Sequence, residues 1–402
     1  MNDNTQDNNR AARVVTAAAL ISIFIYSLVV SLPGVLINEV VETFSLEGTD
    51  EGLMGSLTSL GFLFSLFFAV LIQGRVKKIT VMIIAYASQA FVLFVSGFSP
   101  TFVLFCIGCT LVGFSGGFID SYSNSSVVDV RKNESAKYLG ILHGLFGVGS
   151  LLAPLMFTWL LSYIDWRGVH YSLAIASIAV VLLIFLLTRR TGKKKDTTMV
   201  REQLFTKVDL YAYFKIKRNI ALSLTGFFAM FTIVCVMIWI VRYMTLRYDA
   251  AGLGAISITV YWIFSTITRF FLARFVKRAP MLYFSLGAVM SGIFIIIGVI
   301  SGSPVIMCIM MGLFGLCSGH FIPVLISECA VGYEGRTTFT TSIIMFFMCI
   351  ARVSGPILIA FVSTQTSLML GMMLPVAGAL AAAGCGWMVI KAGDNSSAGI
   401  LN

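Results

Sequence analysis

The chain has 402 residues, 58% of them hydrophobic and only 11% charged. Soluble chains run at about 45–50% apolar and 25% charged, so water is not its main solvent and no stretch remains for a soluble catalytic domain. The formal charge of +10 would suit a nucleic-acid binder, but the positions of the basic residues, given below, exclude that reading.

A membrane-crossing helix needs ~20 predominantly apolar residues. Twelve such stretches occur, at about 13–37, 52–73, 79–98, 101–126, 138–162, 168–188, 219–243, 252–274, 280–301, 304–328, 338–362 and 366–390, read by that length rule. The first follows a polar tail of residues 1–12. It is too long for a signal-peptide core and has no small-residue cleavage site, so it is expected to stay as a helix.

Basic residues fall in alternate connectors: Arg75, Lys77 and Lys78 after the second run, Arg131, Lys132 and Lys137 after the fourth, Arg274, Lys277 and Arg278 after the eighth, Lys391 after the twelfth. The connector after the first run is acidic, with Glu39, Glu42, Glu47, Asp50 and Glu51. The positive-inside rule then puts both termini in the cytoplasm and makes the span number even. A multi-pass protein of the cell inner membrane is expected, with the bilayer as a partner and nucleic acid excluded; a monomer is expected. All eight cysteines lie in apolar runs or directly at the end of one, which argues against a disulfide framework.

Residues 189–218 form the longest polar interruption and read as a basic cytoplasmic linker between an N-terminal bundle (13–188) and a C-terminal bundle (219–391), with a tail at 392–402. The bundles match one another at offsets of about 200 residues, the signature of an internal repeat. Val76-Lys77-Lys78 pairs with Val276-Lys277-Arg278, and Ser96-Gly97-Phe98-Ser99-Pro100 with Ser301-Gly302-Ser303-Pro304. Gly116-x-Phe118-Ile119 pairs with Gly319-x-Phe321-Ile322, and Ala153-Pro154-Leu155 with Gly355-Pro356-Ile357. Two related six-helix halves suit a carrier that rocks around a midplane site. The arrangement resembles the major facilitator superfamily, which implies an all-α membrane protein of twelve transmembrane helices in two pseudo-symmetric bundles. That family's usual signature after the second span contains an aspartate; here it reads Gln73-Gly74-Arg75-Val76-Lys77-Lys78, without one.

A charge at a membrane helix centre costs ~2.5–3.5 kcal/mol on insertion scales, so each needs a reason. The clear cases are Asp120, Arg269 and Arg352, in the fourth, eighth and eleventh runs; Glu39 and Glu328 lie at span ends. Asp120 and Asn124, four apart, share one helix face, with Gly116 a turn earlier. Low-dielectric burial brings a carboxylate's proton exchange towards neutral pH, which makes Asp120 a candidate coupling group; the alternative is a structural ion pair with a membrane arginine. The run Gly116 to Asn124 resembles the fourth helix of the fucose–proton symporter family and its sodium–glucose relatives. There the carboxylate and asparagine take part in substrate binding and cation coupling.

Leu142-His143-Gly144-Leu145-Phe146-Gly147-Val148-Gly149, followed by Pro154, resembles the same family's Leu-His-x-x-Phe-Gly-x-Gly pattern. Gly147, Gly149 and Pro154 are read as packing and bending positions. His143 is read as a gate or packing residue, or as a proton relay. Thr268-Arg269 stands where that family has Gly-Arg. Arg352 suits an anionic or hydroxyl-rich solute through bidentate hydrogen bonds, or else neutralises Asp120.

Gly315, Gly319 and Pro323 repeat every four residues in the tenth run, beside His320, and read as a kinked ligand-facing helix or as a packing stripe; Pro356 falls in the eleventh. Tyr26, Trp239 and Trp262 offer stacking and hydrogen bonds for a sugar. The fucose symporters carry a second carboxylate in their first helix; Tyr26 to Gly34 holds none, so coupling would rest on Asp120 and fucose specificity is not implied.

No phosphate-binding glycine loop, His-Glu-x-x-His or Gly-x-Ser-x-Gly occurs, so neither an ATP-driven pump, an enzyme nor a cofactor or metal site is expected; H+ or Na+ would be the coupling ion. The function expected is uptake of a small polar solute, a sugar or sugar derivative, by alternating access. An organic-anion carrier or exporter is the alternative, and a non-transporting membrane receptor the remote one.

Overall fold

The computed structural model describes residues 3–46, 53–189, 206–271 and 279–396, and every regular element among them is helical. Hydrocarbon offers no water to peptide groups, so a chain crossing it satisfies them internally, and the helix does this within one segment. Eleven segments are long and apolar enough to cross a bilayer, and a shorter apolar helix, Leu57–Ile72, supplies the twelfth. The expected all-α, twelve-span architecture is the one observed. Arg274, Lys277, Arg278 and most of the basic linker lie outside the described residues.

The chain forms two compact units, one of Met1–Phe205 with Gly332–Ser342, the other of Thr206–Val331 with Ile343–Asn402. The first unit holds α1 (Asp3–Val35), α2 (Ile37–Phe44), α3 (Leu53–Ile72), α4 (Lys78–Phe98), α5 (Phe102–Arg131), α6 (Ser135–Leu161) and α7 (Trp166–Arg189). At one end of it Leu32, Leu36 and Val40 pack with Leu93, Phe105, Phe157 and Val169 in a fully apolar core. Phe44, Phe105 and Trp166 meet edge-on or tilted there, and the Trp166 indole N–H donates to Thr43 Oγ1 at 2.8 Å. Arg167 closes the end of α4, donating to the carbonyls of Gly97 and Ser99 at 2.8 Å each; a helix leaves its last carbonyls unmatched unless something donates to them.

The second unit holds α8 (Lys207–Lys215), α9 (Lys217–Tyr248), α10 (Ala251–Phe271), α11 (Pro280–Ile300), α12 (Pro304–Ser318), α13 (Phe321–Cys329), α15 (Leu368–Gly371) and α16 (Leu374–Ser396). The helix α14 (Thr337–Gln365) begins in the first unit and ends in the second. The described end of the expected linker is not irregular: Thr206 and Asp209 form a reciprocal capping box that starts α8. The tenth and twelfth apolar runs are each broken in two, α12 with α13 and α15 with α16.

Local chemistry repeats between the units. Thr101 caps α5 by accepting from the Leu104 N–H at 3.4 Å, and Ser303 caps α12 in the same way from Ile306 at 3.4 Å. These hydroxyls sit beside the Ser-Gly…Pro segments that the two halves share, and each answers one of a helix's orphan N–H groups.

The helices α3 and α5 meet backbone to backbone. A Cβ at Gly113 would run into the Thr58 carbonyl, and a backbone contact cannot rotate away. Gly113→Val is therefore expected to cost about 1–3 kcal/mol through overpacking, read as a lower melting temperature of the purified protein. Gly252, whose Cβ would meet nothing within 4 Å, should accept alanine with no such loss.

Candidate functional site

In the first unit α5 is the polar helix: Ser121, Ser123, Asn124, Ser125 and Ser126 are all buried in it. Such side chains in a low-dielectric interior need partners, and several find them nearby. The Ser121 and Ser342 hydroxyls lie 2.9 Å apart, and Thr338 donates to Ser125 at 3.1 Å.

Asp120 and Asn124 occupy one face, as their spacing implies. The Asn124 side-chain Nδ2 donates to the Asp120 carboxylate at 2.7 Å and to the Asp120 peptide carbonyl at 2.9 Å. From α6, His143 joins them, its Nε2 lying 2.9 Å from Asn124 Oδ1. Asn124 is 0% exposed and His143 6%. Tyr26 on α1 lies against the same face: its ring stands where a Cβ at Gly116 would be, 2.5 Å from that position, and tilts against Phe146 at 6.3 Å. Tyr86 on α4, absent from the sequence-based candidates, donates to the Ser22 carbonyl and lies within electrostatic reach of Asp120. Gly149 packs on Ser27 of α1, Gly147 is buried, and Pro154 lies inside α6.

A second polar group sits further along α5. Lys78 Nζ lies 2.8 Å from Asp129 Oδ2 and donates to Thr337 Oγ1 at 2.6 Å, while the Thr337 hydroxyl donates to Asp129 Oδ1 at 2.7 Å. The lysine comes from the connector that lacks the expected signature aspartate, and the carboxylate it meets is supplied by α5. An acid two residues before the basic pair Arg131-Lys132 was the available sequence signal. In the second unit Arg218 pairs with Glu328 at 2.8 Å and also donates to the Glu328 carbonyl.

The second unit's candidates gather at the break between α12 and α13. Proline 323 has no N–H, so the carbonyl four residues earlier, that of Gly319, loses its helical donor. Arg269 Nε, on α10, donates to that carbonyl at 3.0 Å. Its neighbour Thr268 donates to the Leu316 carbonyl at 2.8 Å. The Thr-Arg pair thus serves the freed end of α12, and Gly319 allows the approach, since a Cβ there would lie 2.5 Å from the Ser265 carbonyl. Arg269 is 4% exposed, and its guanidinium carbon stands 5.5 Å from the centre of the Trp262 ring. Tyr261, beside it, accepts from Ser318 at 3.3 Å and is a further residue that sequence reasoning missed.

The remaining candidates stand apart from this group. His320 turns to α11, where a Cβ at Gly287 would be 3.0 Å from its ring. Trp239, half-buried on α9, holds its indole N–H without a hydrogen-bond partner among the described residues. Arg352 is exposed on α14, four residues before Pro356.

Removing the Arg269 donor leaves a buried carbonyl unsatisfied, a loss of about 1–3 kcal/mol. Arg269→Met should lower the melting temperature accordingly, and Pro323→Ala should recover part of the loss by restoring an N–H to Gly319. Additive losses in the double variant would refute the link between the two positions.

Comparison with known proteins agrees with this architecture. Residues 19–356 match the Major Facilitator Superfamily. The cis,cis-muconate transport protein of Acinetobacter baylyi is 22% identical over 301 residues, 70% of this chain and 71% of that protein. Among solved structures, a variant of the E. coli fucose:proton symporter FucP superposes with a TM-score of 0.75 at 16% identity, covering 93% of this chain and 98% of that one. The human organic anion transporter MFSD10 superposes with a TM-score of 0.71 at 15% identity, covering 95% and 99%. The family match, spanning most of a chain that folds as two units of apolar helices, makes this a multi-pass transporter that belongs to the Major Facilitator Superfamily.

Proposed function

We propose that this chain is a secondary active transporter of the cell inner membrane, both termini cytoplasmic, moving a small polar solute, a sugar or sugar derivative, by alternating access coupled to a proton or sodium gradient. The observation that carries this reading is the Asp120 carboxylate held by the Asn124 amide at 2.7 Å on the polar helix α5. An ionisable group inside a membrane-spanning helix is retained at a cost, and reversible binding of a cation is a use that explains the cost. Tyr26, Asn124 and His143, gathered around it, offer the aromatic face and the hydrogen-bonding groups that a hydroxyl-rich solute requires. The fold neighbour that is a fucose:proton symporter supports the same reading.

A second reading is carriage of an organic anion. It draws on the muconate transport protein among the relatives and on two arginines in the second unit, Arg269 at the α12–α13 break and Arg352 on α14. Guanidinium groups match carboxylates bidentately. Thermal-shift measurement of the purified protein with L-fucose, other sugars, sugar acids and cis,cis-muconate separates the two, because a bound solute raises the melting temperature by mass action.

Reconstituted in proteoliposomes under an imposed proton or sodium gradient, the wild-type chain should accumulate the solute so identified. Asp120→Asn should abolish accumulation while leaving solute exchange intact. Gradient-driven accumulation at the wild-type level in that variant would remove Asp120 from the mechanism.

A further inference from the structure

We infer that His143 is a positioning residue for Asp120: through the side chain of Asn124 it holds an amide donor on the carboxylate and so sets how tightly that carboxylate binds a proton. This rests on the reading of Asp120 as the coupling group, and it adds a residue on a different helix to that function.

The hydrogen-bond pattern fixes every donor in the chain. A peptide carbonyl only accepts, and the Asp120 carbonyl lies 2.9 Å from Asn124 Nδ2. The same nitrogen is 2.7 Å from the carboxylate. The amide NH2 therefore points to Asp120, and the amide oxygen points away from it, 2.9 Å from His143 Nε2. An amide oxygen also only accepts, so Nε2 carries a proton, in neutral and cationic imidazole alike. His170 on α7 has the opposite tautomer, because its Nδ1 lies 2.9 Å from the Trp166 carbonyl.

An asparagine inside a helix has competing acceptors along its own backbone. His143 holds the Asn124 oxygen at one end, and that anchor keeps the two N–H bonds directed at Asp120. A donor aimed at a carboxylate favours its ionised form. Releasing the anchor lets the amide turn away and favours the protonated form.

Among the described residues, other groups also face this part of α5. From α1 and α4 these include the phenols Tyr26 and Tyr86. The helix α3 presents Ser65 to α5, and the start of α14 presents Thr338 and Ser342, none of which ionises. Lys78 and Asp129 belong to the separate group further along α5.

The test uses the full chain in lipid nanodiscs, with dicyclohexylcarbodiimide, which attacks protonated carboxyl groups in apolar surroundings, as the probe and mass spectrometry to quantify labelling at Asp120 against pH. In His143→Leu the labelling midpoint should move up by about one pH unit, a tenfold tighter hold on the proton. In His143→Gln, whose amide N–H2 replaces the imidazole donor, it should stay close to wild type. Equal midpoints in all three proteins would overturn the inference, since a merely space-filling histidine would lower the yield and leave the midpoint in place. If the leucine variant does not fold, 15N NMR of histidine-labelled wild type decides: an Nε2–H tautomer for His143 beside the Nδ1–H tautomer of His170 supports it, and Nδ1–H at both sinks it. Asp120→Asn transport that stays coupled would refute the function of Asp120 while leaving a shifted labelling midpoint intact, so the two failures are distinguishable.

Discussion

In hydrocarbon a peptide carbonyl that loses its helical partner has no water to turn to, and the protein must answer each loss with a donor of its own. That constraint organises the second unit. Proline at 323 interrupts the hydrogen-bond ladder, the tenth apolar segment divides into α12 and α13, and Thr268 and Arg269 come from α10 to serve the carbonyls of Leu316 and Gly319 at the end of α12. A guanidinium inside a membrane protein is then no anomaly. Its Nε completes a backbone, and its face rests near Trp262.

The same rule governs the first unit in a different way. At the position that the internal repeat matches to Pro323, α5 has Asp120, which keeps its own N–H and the helix unbroken. Its carbonyl takes a second donor from the Asn124 side chain. The two matched helices therefore differ, one a broken element propped from outside and the other a continuous element lined with hydroxyl, amide and carboxylate groups. The glycines at 113 and 319 do equivalent work in both, letting a neighbouring backbone come close.

What was legible in the sequence was what is local. Span positions followed from apolar run length, and the shared face of Asp120 and Asn124 from a spacing of four. Thr101 and Ser303 cap corresponding helices beside segments that already matched between the halves. What escaped were the partners that lie far along the chain. His143 and Asn124 meet across two helices, and Lys78, Asp129 and Thr337 come together although Thr337 lies 208 positions beyond Asp129. Periodicity carries no information about such pairs. The break in the twelfth segment was equally hidden, because a run remains apolar whether or not its hydrogen-bond ladder is continuous, whereas Pro323 marked the tenth in the sequence.

The longest unbroken helix of the second unit, Lys217–Tyr248, has 32 residues. At 1.5 Å per residue it measures ~48 Å, against a hydrocarbon layer of ~30 Å, and it ends in the charged positions Lys217, Arg218 and Arg247. It therefore has roughly three turns more than a perpendicular crossing uses, by the same arithmetic. Tilt takes up such excess at small cost, so the hydrophobic thickness that this unit matches is set by its shorter helices, such as Pro280–Ile300 with 21 residues.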